Sequence, residues 1–387
     1  MFSEQQIDSF KNRSTPFYFY DLELFQRSLD QIKLHGLSKG YHVHYALKAN
    51  SHPRILELVL NNGLSADCVS GGEVERALEC GFEPKKIAFA GVGKRDLEIQ
   101  LGLKNNIFCF NVESFQELQV INELASDFEY PAKVALRINP NVDAKTHKYI
   151  TTGLKENKFG INERDLPGIF ELLPSLDNVK LIGIHFHIGS QIEEIEPFTK
   201  LCERANEIND LFESKGFKLS VINVGGGFGI DYSNPNGNPI PDFELFFGTF
   251  EKHVKLKANQ ELHFELGRSI VGQTGSLITR VLYTKSGLEK NFAIVDAGMT
   301  ELIRPALYQA MHEIQLISEH NGRARMKYDV VGPICESSDL FRSEYELPEV
   351  QRGDIMAIRS CGAYGEVMKS QYNLRHNIGT VFSDEID

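Results

Sequence analysis

Between Tyr41 and Glu265 the chain alternates, roughly eight times, between a short strand-like run and a longer helical, charged stretch. Few folds accept that order. The runs are Tyr41–Lys48, Ala66–Val69, Ile87–Ala90, Ile107–Phe110, Lys133–Ile138, Leu181–His187, Val221–Val224 and Leu262–Glu265. Successive strand side chains point to opposite faces, so each run can be sorted by face. Val134, Leu136 and Ile138 oppose Ala135, Arg137 and Asn139. Ile182, Ile184 and Phe186 oppose Gly183, His185 and His187, while Leu262, Phe264 and Leu266 oppose His263 and Glu265. One face is greasy and the other small or polar. A doubly wound sheet more often shows strands apolar on both faces, whereas a barrel sends apolar residues out to its helices and small or polar ones inward. The pattern therefore predicts an α/β fold, a (β/α)8 TIM-type barrel over residues 25–265.

After Glu265 the texture changes. Gly275–Tyr283, Asn291–Val295, Lys327–Val331 and Asp354–Arg359 are β-rich runs with little helix between most of them. They predict a mostly antiparallel β domain built from 266–387 together with 1–24, which carries the strand candidate Phe17–Tyr20. At 387 residues the chain has room for both units. A formal net charge of -12 argues against nucleic acid or an anionic membrane as the partner and leaves a small-molecule substrate. The first residues lack a basic n-region and an apolar run, and no segment reaches membrane-helix length. Cys68, Cys80, Cys109, Cys202, Cys335 and Cys361 are scattered without metal-ligand spacing. The expectation is a cytoplasmic enzyme in a reducing compartment, with no metal.

Catalytic groups in a barrel sit at the C-terminal ends of its strands, and phosphate often binds in the loops after the seventh and eighth. Lys48 ends the first run, opposite the greasy face of Tyr41, Val43, Tyr45 and Leu47. Asp67 sits in the second, and His187 ends the sixth. The seventh runs into Gly225-Gly-Gly-Phe-Gly229, and the eighth into Glu265-Leu-Gly-Arg268. A strand-end lysine alone more often snorkels to water, and a glycine cluster alone is often a tight turn. Together they point elsewhere. A lysine, a backbone cradle able to approach a phosphate, a hydroxyl at Ser190 and a carboxylate at Glu265 are the groups that hold pyridoxal 5'-phosphate. Burial of the lysine favours the neutral amine that Schiff-base chemistry needs. His187 is placed to stack on the ring. His42, His44 and His263 read as satisfied core histidines.

The blocks Tyr45-Ala-Leu-Lys-Ala-Asn50, His185-Phe-His-Ile-Gly-Ser-Gln191, Asn223-Val-Gly-Gly-Gly-Phe-Gly229, Thr152-Gly-Leu-Lys-Glu-Asn-Lys-Phe-Gly160 and Gly332-Pro-Ile-Cys-Glu-Ser-Ser-Asp339 occur in this order. Asp-Ala-Lys-Thr-His147, shortly after Asn141, belongs with them. The set resembles the fold-type III pyridoxal-phosphate decarboxylases nearly end to end, and among them the diaminopimelate decarboxylase family. One departure is Leu266, where that family usually has proline in Glu-Pro-Gly-Arg. It frees the backbone slightly and leaves Glu265 and Arg268 in place.

The resemblance implies an alanine-racemase-like pair of domains and decarboxylation of meso-2,6-diaminopimelate to L-lysine and carbon dioxide, the last step of lysine biosynthesis. It implies that Lys48 binds the cofactor aldehyde and that Glu265 pairs with the ring nitrogen. Asp67, His187 and Gly267 also belong to its cofactor site, and Gly226, Gly227, Ser190 and Tyr364 hold the phosphate. Arg268, Arg304 and Tyr308 take the distal carboxylate of the substrate, a part of the pocket that Tyr364 shares, and Glu336 takes the distal amino group. Cys335 of the partner subunit in a homodimer with shared active sites protonates the carbanion, and Thr146–Gly160 forms a mobile lid.

The residue chemistry supports such a substrate on its own. Two arginines and a carboxylate suit a distal amino-acid head, since arginine matches a carboxylate with a planar donor fork. A substrate with only a distal cation would be repelled by them. Rival readings are a decarboxylase of ornithine, arginine or carboxynorspermidine, a cofactor-free lysine aldolase, and a regulatory relative without turnover. Arg304 with Tyr308 speaks against the simple diamines, the glycine cradle and the β-rich tail against the aldolase, and intact Lys48 and Cys335 against the last.

Overall fold

The computed structural model describes residues 2–142, 158–319 and 321–386. Most of the expected lid, Thr146–Gly160, lies outside them. The chain opens with α1 (Glu4–Asn12) and β1 (Phe17–Tyr20), then enters a closed barrel of eight parallel strands. In order, these are β2 (His42–Ala46), β3 (Ser65–Cys68), β4 (Ile87–Phe89), β5 (Cys109–Val112), β6 (Ala132–Arg137), β7 (Val179–His185), β8 (Val221–Asn223) and β9 (Glu261–Leu266). Before β2 comes α2 (Leu22–His35). Between the strands run α3 (Pro53–Asn61), α4 (Gly71–Glu79), α5 (Asp96–Lys104), α6 (Phe115–Ala125), α7 (Leu166–Leu172), α8 (Glu196–Ser214) and α9 (Phe243–His253). Each barrel strand pairs with its neighbour in parallel, and β9 returns to β2 with Phe264 opposite Val43 and Glu265 opposite His44.

Local chemistry sets the helix starts. Ser70 and Ser114 accept from the backbone N–H groups of Glu73 and Glu117, and those glutamates reach back to the N–H groups of Val69 and Glu113. Asp242 caps α9, which then buries Phe243, Phe246, Phe247 and Phe250 on one stripe, with Phe247 and Phe250 edge-on to Phe264 of β9.

Three sequence expectations shift in the barrel. The fourth strand begins at Cys109 and runs to Val112, because the N–H of Ile107 closes α5 on Gly102 and that of Phe108 turns to Pro84 and Ile87. The sixth strand ends at His185, so His187 lies in the following loop. Ile182, expected outward, packs with Ala88, Cys109, Ala135 and Val221. A bulge pairs Val134 with Leu181 and Ala135 with Gly183, which makes Ile182 the extra residue.

The second unit is a sheet. After α10 (Arg268–Val271) come β10 (Gly275–Ser286), β11 (Asn291–Val295), α11 (Arg304–Tyr308), β12 (Ile314–Leu316), β13 (Arg325–Val331), β14 (Leu340–Pro348), β15 (Ile355–Ile358) and β16 (Gly379–Phe382). The sheet runs β12-β15-β10-β11-β13-β14, with β1 joining β10 and β16. Its pairings are antiparallel except β11 with β13 and β1 with β16. Phe10, Phe17, Phe19, Ile278, Ile355, Ala357 and Val381 form its core. By contacts, this unit comprises Met1–Ser28, Ile230–Pro241 and Arg268–Asp387, and the barrel unit Leu29–Gly229 and Asp242–Gly267. Ile230–Pro241, inside the sequence span read as barrel, thus groups with the sheet.

Candidate active site

Within the barrel unit the chemistry gathers at the C-terminal ends of the strands. Lys48 sits just past β2, in the single turn Leu47–Ala49, and not at the end of the strand itself. Its ammonium nitrogen lies 2.9 Å from Asp67 Oδ2, with the lysine side chain 35% exposed and the aspartate fully buried. The expected buried lysine is therefore a half-buried, ion-paired one. Burial and the nearby charge of Glu265 push the Asp67 carboxyl above the ordinary range, against the pull of Lys48. Asp67 Oδ1 is buried and has no hydrogen-bond partner among the described residues.

Glu265 is the most heavily supported group. Its Oε1 accepts from the side-chain amides of Asn111 at 2.9 Å and Asn223 at 2.8 Å. Its Oε2 lies 3.0 Å from His185 Nε2. Burial alone would raise this carboxyl, but the field and hydrogen bond of His185, with Lys48 behind them, hold it well below the usual carboxylate range. The result is a fixed anion in a dry site. Asn111, Asn223 and His185 were not singled out from the sequence. His185 was visible as an inward-facing barrel residue, Asn223 as a residue of the predicted seventh strand two positions before the glycine run, and Asn111 lay one position past the predicted strand.

The glycine run is a backbone cradle. Gly225 and Gly227 have φ of 68° and 97°. A Cβ at Gly225 would collide with the carbonyl of Phe186, at Gly226 with that of Glu265, and at Gly227 with that of Gly189. The N–H of Gly226 lies 3.5 Å from His187 Nδ1. Desolvation, Arg137 and Lys48 keep the His187 imidazole well below its ordinary pKa, so it stays neutral. Ser190 lies in the loop after β7, half-buried. Gly267 lets the end of β9 approach the lysine turn, since a Cβ there would come 2.9 Å from Ala49 Cβ. Leu266 is buried in register with Tyr45, within the ladder and without disturbance of Glu265.

These groups fit pyridoxal 5'-phosphate. A fixed carboxylate suits a protonated ring nitrogen, a neutral imidazole suits stacking, and a cradle that excludes every Cβ suits a phosphate. The orphaned Asp67 Oδ1 is a further acceptor awaiting a donor.

In the sheet unit, Arg268 and Arg304 converge on one residue. Each donates from Nη1 to the Tyr232 hydroxyl at 2.6 Å, and both guanidiniums are buried. Arg268 also lies over the Tyr364 ring at 4.8 Å. Arg304 Nη1 reaches His312 Nε2 at 3.2 Å. His312 Nδ1 lies 2.8 Å from the Arg359 carbonyl oxygen, so that nitrogen carries the proton and Nε2 accepts. Burial and Arg304 bring the His312 pKa down to about 3. Tyr308, at the end of α11, is half-buried. Tyr232 and His312 were missed in the sequence, where no spacing marks them.

Cys335 and Glu336 lie elsewhere in the sheet unit and are exposed. The Cys335 N–H bonds the Asn373 side chain at 3.2 Å, and the Tyr372 hydroxyl donates to Glu336 at 2.7 Å.

The family described as "Pyridoxal-dependent decarboxylase, pyridoxal binding domain" matches residues 25–272. A diaminopimelate decarboxylase of Bacteroides thetaiotaomicron is 53% identical over 382 residues, 98% of each chain. The crystal structure of diaminopimelate decarboxylase from Helicobacter pylori complexed with L-lysine superposes with a TM-score of 0.89 at 40% identity, covering 97% of this chain and 93% of that one. That of M. jannaschii, also with L-lysine, gives 0.89 at 33% identity, covering 98% and 89%. The chain belongs to the pyridoxal-dependent decarboxylases, in their diaminopimelate decarboxylase family.

Proposed function

We propose that this enzyme removes carbon dioxide from meso-2,6-diaminopimelate to give L-lysine, closing lysine biosynthesis. The observation that carries the substrate is Arg304. The residue is 6% exposed, and its side-chain hydrogen-bond partners among the described residues, Tyr232 and His312, carry no carboxylate. A buried cation without a counter-ion is costly, and an incoming carboxylate relieves it. Both of its described bonds leave from Nη1, so Nε and Nη2 remain as a fork for that carboxylate. A decarboxylase acting on an amino acid with only a distal cation, and so forming a simple diamine, would have no use for it.

Bound pyridoxal 5'-phosphate supplies the electron sink that makes loss of carbon dioxide feasible at neutral pH. Lys48 provides the amine that anchors it, and Asp67 holds that amine in place. Glu265 keeps a proton at the ring nitrogen, its own charge fixed by Asn111, Asn223 and His185. His187 stacks, and Gly226, Gly227, Ser190 and Tyr364 hold the phosphate. Arg268, Arg304 and Tyr308 orient the distal carboxylate, with Glu336 on the distal amine.

Cys335 delivers the proton to the α-carbon from the opposite subunit of a homodimer. Its exposure supports that role, as does Leu374, 91% exposed beside Asn373, an apolar side chain left for a partner to cover. A cytoplasmic location is supported by six unpaired cysteines. No helix among the described residues is long and apolar enough to cross a membrane.

The test is product analysis of the purified holoenzyme with meso-diaminopimelate, ornithine and arginine offered separately. Stoichiometric lysine and carbon dioxide from the first alone is the expected result. Turnover of ornithine or arginine at a comparable rate would refute the substrate reading.

A further inference from the structure

At the opposite, N-terminal end of the barrel, where β2 and β9 close it, the three histidines read as separate core residues come together: His44 hydrogen-bonds His263, and His42 stacks on His263. His44 Nδ1 lies 3.3 Å from the Ala66 carbonyl oxygen, which can only accept, so that nitrogen carries a proton. In the neutral ring, Nε2 then accepts, and it lies 2.9 Å from His263 Nδ1, which must donate. His263 Nε2 is left with its lone pair directed outward, 3.4 Å from Glu261 Oε2. Two acceptors therefore face each other, and a cation between them satisfies both.

A third donor stands at the same place. His42 Nε2 lies 3.6 Å from the same carboxylate oxygen, and the His42 and His263 rings stack at 4.5 Å between centroids. One ligand atom from each of His42, Glu261 and His263 falls within 4.8 Å of the others. In a tetrahedral zinc site with bonds near 2.0–2.1 Å, neighbouring ligand atoms stand roughly 3.3 Å apart, close to the 3.4 and 3.6 Å that separate the two histidine nitrogens from Glu261 Oε2. His263 is 2% exposed, with its ring 5.1 Å from that of Phe108, whereas His42 is exposed and can turn its lone pair inward. His44 serves as the outer partner that fixes the tautomer of a ligating histidine.

We propose that His42, Glu261 and His263 form a divalent transition-metal site, of zinc class, with the fourth position open to water. The cysteine spacing behind the expectation of no metal does not register histidines brought together across adjacent strands. The site joins the first barrel strand to the last, so an ion there closes a loop of more than two hundred residues and restricts the unfolded chain.

The test uses the holoenzyme carrying Cys335→Ala, so that the exposed thiol takes no metal, and compares it with the same protein bearing His42→Ala or Glu261→Gln. Zinc chloride is titrated calorimetrically, Tm is read with and without zinc, and cobalt(II) serves as a tetrahedral absorption probe. The parent should take up one zinc per chain more tightly than either variant by at least about tenfold, since loss of a mere outer partner costs that much. Its Tm should rise with zinc while those of the variants do not. Equal zinc uptake and equal Tm shifts in all three proteins would overturn the site.

Discussion

Replacing Arg304 with methionine tests the substrate reading most directly, because the side chain keeps its bulk and loses only the charged fork. Truncating one partner of a buried, hydrogen-bonded charge pair costs about 2–5 kcal/mol. The lower part of that range applies here. Before substrate binds, Arg304 already bears the penalty of burial with no carboxylate partner among the described residues, only Tyr232 and His312, and methionine removes that penalty. A loss of about 2–3 kcal/mol corresponds to roughly 30- to 150-fold in kcat/KM, taking about 1.4 kcal/mol per tenfold. The distal carboxylate does not change during the chemistry, so the contact is equal in ground and transition states, and the loss should fall on KM with kcat nearly preserved. Steady-state lysine formation over a range of meso-diaminopimelate concentrations separates the two. A kcat/KM within about threefold of the native enzyme would show that Arg304 does not meet the substrate, and the specificity argument would fall with it.

Lys48→Ala should abolish decarboxylation, and borohydride reduction of the native holoenzyme followed by peptide mass spectrometry should find the cofactor on Lys48; its recovery on any other lysine refutes the assignment. Mixing Lys48→Ala with Cys335→Ala subunits, once exchange is confirmed with differential tags, should restore roughly a quarter of native activity, since about half the dimers are mixed and each of those has one intact site. Activity that stays at the level of the single variants would mean that Cys335 acts within its own chain. His312 gives the pH prediction: its folded-state pKa lies near 3 against 6.5 for the free side chain, so between those values the unfolded chain binds a proton that the fold refuses. Stability should therefore fall as pH drops below about 6.5, and His312→Gln should flatten the Tm-against-pH curve in that window; an unchanged slope would show that His312 is not the buried neutral group described.

Much of the fold is legible because it is periodic. The alternation of Val134, Leu136 and Ile138 against Ala135, Arg137 and Asn139 depends only on strand geometry and on a helical layer to bury the greasy face, and the barrel follows. Glycine is equally readable: the run Gly225, Gly226 and Gly227 after a strand means backbone pressed against backbone, and the Cβ collision at each of the three bears it out. Lys48, Asp67, His187 and Glu265 could be found because a barrel collects strand ends at one mouth.

What the sequence cannot register is the partner of a side chain across the barrel or the sheet. Asn111 and Glu265 are 154 positions apart, Arg304 and Tyr232 are 72, and His44 and His263 are 219. No local pattern ties them. Likewise, the bulge at Ile182 and the turn that takes Lys48 off its strand come from register with neighbouring strands, which no single segment carries. The sequence by itself determined the barrel and the β-rich second unit and nominated candidate groups for the cofactor, since those follow from short-range periodicity and backbone sterics. Tertiary structure alone decided which acceptor each buried donor finds, and through that the charge of Glu265, the neutrality of His312 and the tautomer of His263, because hydrogen bonds in a dry interior are set by distance in space and not along the chain.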